Sequence, residues 1–119
     1  MRKIVIIGSG GLAREVKFLI EAINAEKLDY EFLGYIVSDL KKLGPYDSRK
    51  KILGDFSWLD KQSGPIHVAI GIGNPMSRSN VVSNLLAKKS NLIFPSLVHP
   101  SVIFDKNSVS VQQCVIICA

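Results

Sequence analysis

Ile4-Val5-Ile6-Ile7-Gly8-Ser9-Gly10-Gly11-Leu12-Ala13-Arg14-Glu15-Val16 decides the fold, because an uninterrupted aliphatic run enters a glycine turn that opens an amphipathic helix. Four aliphatic residues between Lys3 and Gly8 have the pattern of a strand buried on both faces, as in a parallel sheet. Beyond the turn, Leu12, Val16, Leu19, Ile20 and Ile23 recur at helical spacing, with Arg14, Glu15, Lys17 and Glu21 on the other faces. The turn fits G-x-G-x-x-[GA]. Gly8 permits a positive φ, Gly10 removes the Cβ that would hold a ligand away from the backbone, and Ala13 lets helix and strand approach closely. Free N–H groups and the positive end of the helix dipole then face whatever lies above the turn, which favours a phosphate. A glycine pattern alone also fits a purely structural turn, so the legible strand and helix around it carry the ligand reading.

Outward from this unit the same grammar continues. Phe32-Leu33-Gly34-Tyr35-Ile36-Val37 reads as a second strand ending at Ser38-Asp39, near where an α/β nucleotide-binding fold keeps its ribose-reading acid. Asp39 is therefore a ligand candidate, with an equal claim to begin a turn or cap Leu40 to Leu43. Gly44 to Lys51 is polar and turn-rich and reads as a mobile loop. Ile52-Leu53-Gly54 is a short strand, and Asp55 caps a helical turn carrying Phe56, Trp58 and Leu59, with Trp58 in the core. Ile66 to Ile70 is a further strand that runs into Gly71-Ile72-Gly73-Asn74-Pro75, where Asn74 is an N-cap and Pro75 the first helical residue. Its helix turns Val81, Val82, Leu85 and Leu86 inward and ends near Lys88 to Ser90. Two strand-glycine-helix edges on one side of a parallel sheet make a crevice, which Arg78 could reach from one turn into the second helix. His67, inside a strand, reads as a packed or edge histidine rather than a catalyst.

Composition narrows the function classes. With 119 residues, 47% of them hydrophobic, the chain has enough apolar material for a core without staples. The net charge of +5 comes from lysines and arginines spread over helix faces and one loop, not from a basic stripe interleaved with aromatics, so nucleic acid is not the expected partner. Cys114 and Cys118 sit in an apolar tail and read as buried hydrophobes; with His67 and His99 far apart, no metal site is expected. Met1-Arg2-Lys3 precedes an apolar run too short for a signal segment or a membrane span, and a reducing cytoplasm is the expected compartment.

After Val98 the texture changes. Ile103, Val109 and Val115 recur every six residues, as do Val111 and Ile117, a period that belongs to neither strand nor helix but to one side of a left-handed parallel β-helix coil. The alternative is a C-terminal strand added to the sheet. One coil cannot bury its own inner face.

Four segments together resemble the amino-terminal part of bacterial sugar acyltransferases of the NeuD and PglD type. They are the opening Ile6 to Val16, the strand end Ile36-Val37-Ser38-Asp39, Ala69-Ile70-Gly71-Ile72-Gly73-Asn74 before a helix, and the junction Leu97-Val98-His99-Pro100-Ser101. The resemblance implies an α/β fold. A small Rossmann-like parallel sheet with flanking helices would occupy residues 1–97 and bind a nucleotide sugar, and residues 98–119 would form the junction and the first, incomplete coil of a β-helix. Carried over by position, Gly8, Ser9, Gly10 and Gly11 would approach the ligand diphosphate, Asp39 would lie beside ribose or base, and Gly71, Gly73 and Asn74 would close the other wall. The family's β-helix trimerises and binds acetyl-CoA between subunits, and its catalytic histidine lies in later coils, so no catalytic residue is expected here; His99 belongs to the junction motif. The chain departs from the family at Leu12, where many relatives carry histidine and where ligand contacts would change, and at Gln112-Gln113-Cys114, where a glycine-rich turn is usual. An amino-terminal piece or a truncated product is the expectation.

Three functions compete. The first is the substrate-binding portion of an acetyl-CoA-dependent sugar acetyltransferase, without transfer activity of its own. The second is an NAD-binding module of an oxidoreductase, built on the Gly8 turn and Asp39. The third is a nucleotide-sensing regulator. The apolar tail from Val109 to Ala119 favours self-association, with a dimer expected.

Overall fold

The aliphatic run becomes β1 (Arg2–Ile7), whose inner four residues are all buried, and the glycine turn leads into α1 (Gly11–Glu26) as its spacing predicts. A computed structural model describes residues 1–42, 51–88, 91–101 and 116–117. The chain continues through β2 (Tyr30–Ile36), a short 3-10 turn (Leu40–Lys42), β3 (Ile52–Gly54), α2 (Ser57–Asp60), β4 (Ile66–Ile70), α3 (Pro75–Lys88) and β5 (Leu92–Ile93). These five strands form one parallel sheet in the order β3-β2-β1-β4-β5.

Alternation along β1 divides the core. Ile4 and Ile6 point to the face covered by α1, where they meet Ala13, Val16, Leu19 and Ile20. Val5 and Ile7 point to the other face, with Leu59 of α2 and Leu85 of α3. A strand apolar on both faces suits only this three-layer arrangement, which is why the run does not alternate with polar residues.

Two details of the expected packing are corrected. Leu86 is 58% exposed instead of inward, because Leu85 takes the buried position on α3. Trp58 is only half-buried at the edge of the second cluster, and Leu59 is the core residue of α2. Asp39 and Asp55 both act as turn caps: Oδ1 of each accepts a backbone N–H two residues ahead, Lys41 and Ser57, at 2.9 Å.

The end of α1 is tied to the start of β2 by one side chain. Asn24 Oδ1 accepts the N–H groups of Asp29 at 3.1 Å and Tyr30 at 3.0 Å, and its Nδ2 donates to the Tyr30 carbonyl at 2.9 Å. At about 1 kcal/mol per bond, Asn24→Ala is expected to cost about 2 to 3 kcal/mol, read as a lowered urea midpoint with an unchanged slope.

Beyond β5 the chain leaves the sheet. β6 (Leu97–Val98) pairs in parallel with β7 (Ile116–Ile117) as a separate two-stranded element, with Leu97 opposite Ile116. Neither extends the five-stranded sheet, and no β-helix coil is present among the described residues. The six-residue repeat from Ile103 to Val115, both cysteines and most of the loop from Gly44 to Lys51 lie outside them. No helix among the described residues is long and apolar enough to cross a membrane.

Candidate functional site

β1 and β4 are adjacent, yet the chain leaves them toward opposite sides of the sheet, to β2 and to β5. Their carboxyl ends therefore open a crevice at the switch point, the place where open α/β sheets bind ligands.

Three segments meet there at very close range. Gly8 has φ +109° and donates its N–H to the Ile36 carbonyl at 2.7 Å; a Cβ on it would sit 2.8 Å from the Gly71 carbonyl oxygen. Gly71 donates to the Ile7 carbonyl at 2.8 Å, and a Cβ there would lie 2.7 Å from Ala13 Cα. Ala13 thus takes the close-packing position expected of it. Gly71 is buried beneath the crevice, where it serves the same packing.

α1 begins without a side-chain cap. Gly10 occupies the N-cap in extended conformation, and no acidic residue stands in the first turn. The first-turn N–H groups consequently lack the acceptor that serine, threonine or aspartate would supply, which leaves them for a ligand anion or water.

Beside this turn lies a cleft of about 290 Å³. Of the expected site residues, it is lined by Gly8, Ser9 and Asp39. Gly10, Gly11 and Leu12 continue past its wall at the start of α1, and the Leu12 side chain lies beside Gly73. Asn74 is spent on α3: its Oδ1 accepts the Ser77 N–H at 3.0 Å and its carbonyl accepts the Arg78 N–H at 2.9 Å. Gly73 and Asn74 are exposed, and Arg78 is half-buried outside the cleft wall.

Ser38 and Ser77 add hydroxyls to the wall, and Phe56, Ile72 and Val81 make its apolar side. Sequence reading missed this role for all five. Ile72 stands directly between two glycines already singled out, and Phe56 and Val81 were assigned to structure alone. Among the described residues no lysine, arginine, histidine or cysteine lines the cleft, which presents hydrogen-bonding groups, one carboxylate and an apolar wall. Such a set can hold a polar ligand against an apolar face.

The two histidines lie away from this crevice. His99 Nδ1 accepts the Ser101 N–H at 3.1 Å and contacts Ser101 Oγ at 2.8 Å, a local turn arrangement. His67 is buried near the amino end of β4, edge-on to Tyr30 with ring centroids 6.0 Å apart. Burial, and then the Arg2 charge, push its pKa below the ordinary histidine value. The unfolded chain therefore binds the proton more readily. Stability is expected to fall as pH drops through about 6.5, and His67→Phe is expected to flatten that part of the pH–stability curve.

No group of three or more histidine, cysteine or acidic side chains that could hold a metal occurs among the described residues. No curated protein matches the chain. Residues 3–85, from Lys3 in β1 to the buried Leu85 of α3, match the family model of the PglD N-terminal domain. That span takes in the glycine turn, the switch-point crevice and every residue that lines the cleft. The chain belongs to the PglD N-terminal domain family, the amino-terminal domain of PglD-type sugar acetyltransferases.

Proposed function

We propose that this chain is the substrate-binding portion of an acetyl-CoA-dependent sugar acetyltransferase and holds a nucleotide sugar at the carboxyl edge of its sheet. The observation that carries the reading is the uncapped start of α1 beside the switch-point cleft, a combination that favours an anionic group with an attached polar body. The diphosphate lies against Gly8, Ser9, Gly10 and Gly11. Asp39 keeps one carboxylate oxygen on Lys41 and offers the other to ribose or base. Leu12 and Gly73 meet the sugar side, with Asn74 and Arg78 at the outer wall.

Acetyl transfer is assigned to coils beyond the described residues. The described tail amounts to two residues paired with two, too few to build a groove for acetyl-CoA. The parallel pairing of Leu97 with Ile116 supports a first β-helix coil between them, since a three-sided coil of six-residue sides brings the chain back beside itself at about this separation. Such coils bury their inner faces only when stacked on one another, and the family resemblance implies that the stacked coils trimerise.

A thermal-shift titration with UDP, a UDP-amino-sugar, CMP, NAD and acetyl-CoA tests the reading, because a ligand that binds only the folded state raises Tm by mass action. The expected result is a rise with the nucleotide sugar, none with acetyl-CoA, and no acetyl transfer. Asp39 in the cleft wall also fits the ribose of a dinucleotide, so a rise with NAD alone would overturn the proposal in favour of an oxidoreductase module. Indifference to all five would leave a regulatory role without a nucleotide.

A further inference from the structure

At the opposite rim of the sheet, the amino ends of β1 and β4 and the loop 61–65 border a second cleft of about 430 Å³. This rim is thinly built. Met1, Arg2 and Lys3 are exposed, as are all the loop residues but Gln62, and β5 has only two residues, of which Ile93 is 41% exposed. Polar ties hold the rim together. The Arg2 N–H donates to the Asp29 carbonyl at 2.9 Å and the Ile66 N–H to the Asn91 carbonyl at 3.1 Å, while Asn91 Nδ2 donates to the carbonyls of Gln62 at 3.2 Å and Gly64 at 2.8 Å. The Arg2 side chain forms a two-pronged pair with Asp29 and lies 4.9 Å from the Tyr30 ring centroid.

A buried histidine sits among these ties. Strand alternation puts His67, 7% exposed, on the same face of β4 as Ala69, and its ladder neighbours are the apolar Ile4 on β1 and Ile93 on β5. Its Nδ1 is closed to solvent and has no hydrogen-bond partner, an arrangement that native structures rarely leave unexplained. The charged and titratable groups around the ring are Arg2, Asp29, which is committed to Arg2, and Tyr30, which packs edge-on; Lys3 contributes its backbone. None of them accepts a proton from Nδ1. A neutral ring fits this setting, with a lone pair on Nδ1. A proton there would leave an unpaired charge in a dry site beside Arg2, which the closed rim does not satisfy and which water satisfies once the rim parts.

We propose that His67 is a proton-operated latch: neutral, it keeps the starts of β1, β4 and β5 closed, and protonated, it holds them parted while the rest of the sheet stays folded. Opening is local because few apolar contacts break at this rim, whereas the buried aliphatic residues of β1 and β4 beyond it keep their packing. Since β5 hands the chain on to β6, a parted rim loosens the link between the five-stranded sheet and the β6–β7 element. The latch lies at the end of the sheet away from the nucleotide-sugar cleft and does not depend on that reading.

Native-state hydrogen exchange on the whole chain, corrected for intrinsic exchange rates and followed in low, sub-denaturing urea, tests it. The reporters are the amides of Tyr30 and Ile66 at the amino rim, with Gly71 at the far end of β4 as the comparison. Protection of Tyr30 and Ile66 is expected to fall about tenfold between about pH 7.5 and pH 5.5, as uptake of one proton at the ordinary histidine value of about 6.5 predicts. That exchange is expected to be nearly insensitive to urea, because a local opening exposes little surface, and Gly71 is expected to exchange with the urea slope of whole-domain unfolding. His67→Phe is expected to abolish the pH dependence at both rim amides, and His67→Leu repeats the test with a smaller side chain. If Tyr30 and Ile66 share the urea slope of Gly71 at pH 5.5, acid unfolds the whole domain and there is no latch. An unchanged pH dependence in the His67 variants, or a His67 ring that titrates near its ordinary value while both amides keep their protection, likewise overturns the proposal.

Discussion

Gly71→Val is expected to cost about 3 kcal/mol or more, and to leave the domain largely unfolded at physiological temperature if its total stability is at the low end for its size. A valine Cβ would stand 2.7 Å from Ala13 Cα, 2.9 Å from Ala13 Cβ and 3.0 Å from Ile6 Cγ2. Two of these atoms belong to the first turn of α1 and the third to the middle of β1, so neither neighbour is the free end of a long side chain. Relief requires α1 to lift from the sheet. That movement would also open the packing of Val16, Leu19 and Ile20, which hold the helix to the same face. Urea unfolding provides the measurement. Ala13→Gly in the same chain is expected to recover only part of the loss, because the closest contact, to Ala13 Cα, remains. An unchanged midpoint for Gly71→Val would show that α1 and β4 do not meet as described.

Gly11→Asp separates binding from folding. Gly11 is the first residue of α1, and a Cβ there meets nothing within 4 Å. An aspartate at this place improves helix propensity over glycine and complements the positive end of the dipole, so Tm is expected to hold or rise by an amount worth about 0.5 to 1 kcal/mol. The same carboxylate puts a negative charge where the ligand diphosphate is proposed to lie. Nucleotide-sugar affinity is expected to fall at least about tenfold, equivalent to about 1.4 kcal/mol, by calorimetric titration. Gly11→Lys reverses the electrostatics and is expected to retain binding with a slightly lower Tm. Equal affinity in both variants would remove the phosphate from the start of α1.

The elements whose bounds follow from local chemistry were the ones readable in advance. β4 spans Ile66–Ile70 as its apolar run predicts, and α3 starts at Pro75 behind an Asn74 cap because proline and asparagine have few other uses at such a boundary. Leu86 was misplaced because neighbouring leucines on an amphipathic helix differ by 100° in direction, and only the angle at which α3 crosses the sheet chooses between them. Asp39 shows a different limit. Its turn-capping and cleft-lining roles looked like alternatives in the sequence, yet one carboxylate has two oxygens and fills both places.

From the linear chain alone come the α/β class, the buried first strand, the glycine turn and its approach to phosphate, and the family resemblance, because each depends on residue types only a few positions apart. Strand order and the two clefts depend on contacts between residues far apart in the chain. Nothing local to Gly71 shows that Ala13 will press against it, and nothing local to His67 shows that its Nδ1 will be enclosed without a partner. Those facts arise when parallel strands bring β1 and β4 side by side, which closes one cleft at each end of the pair.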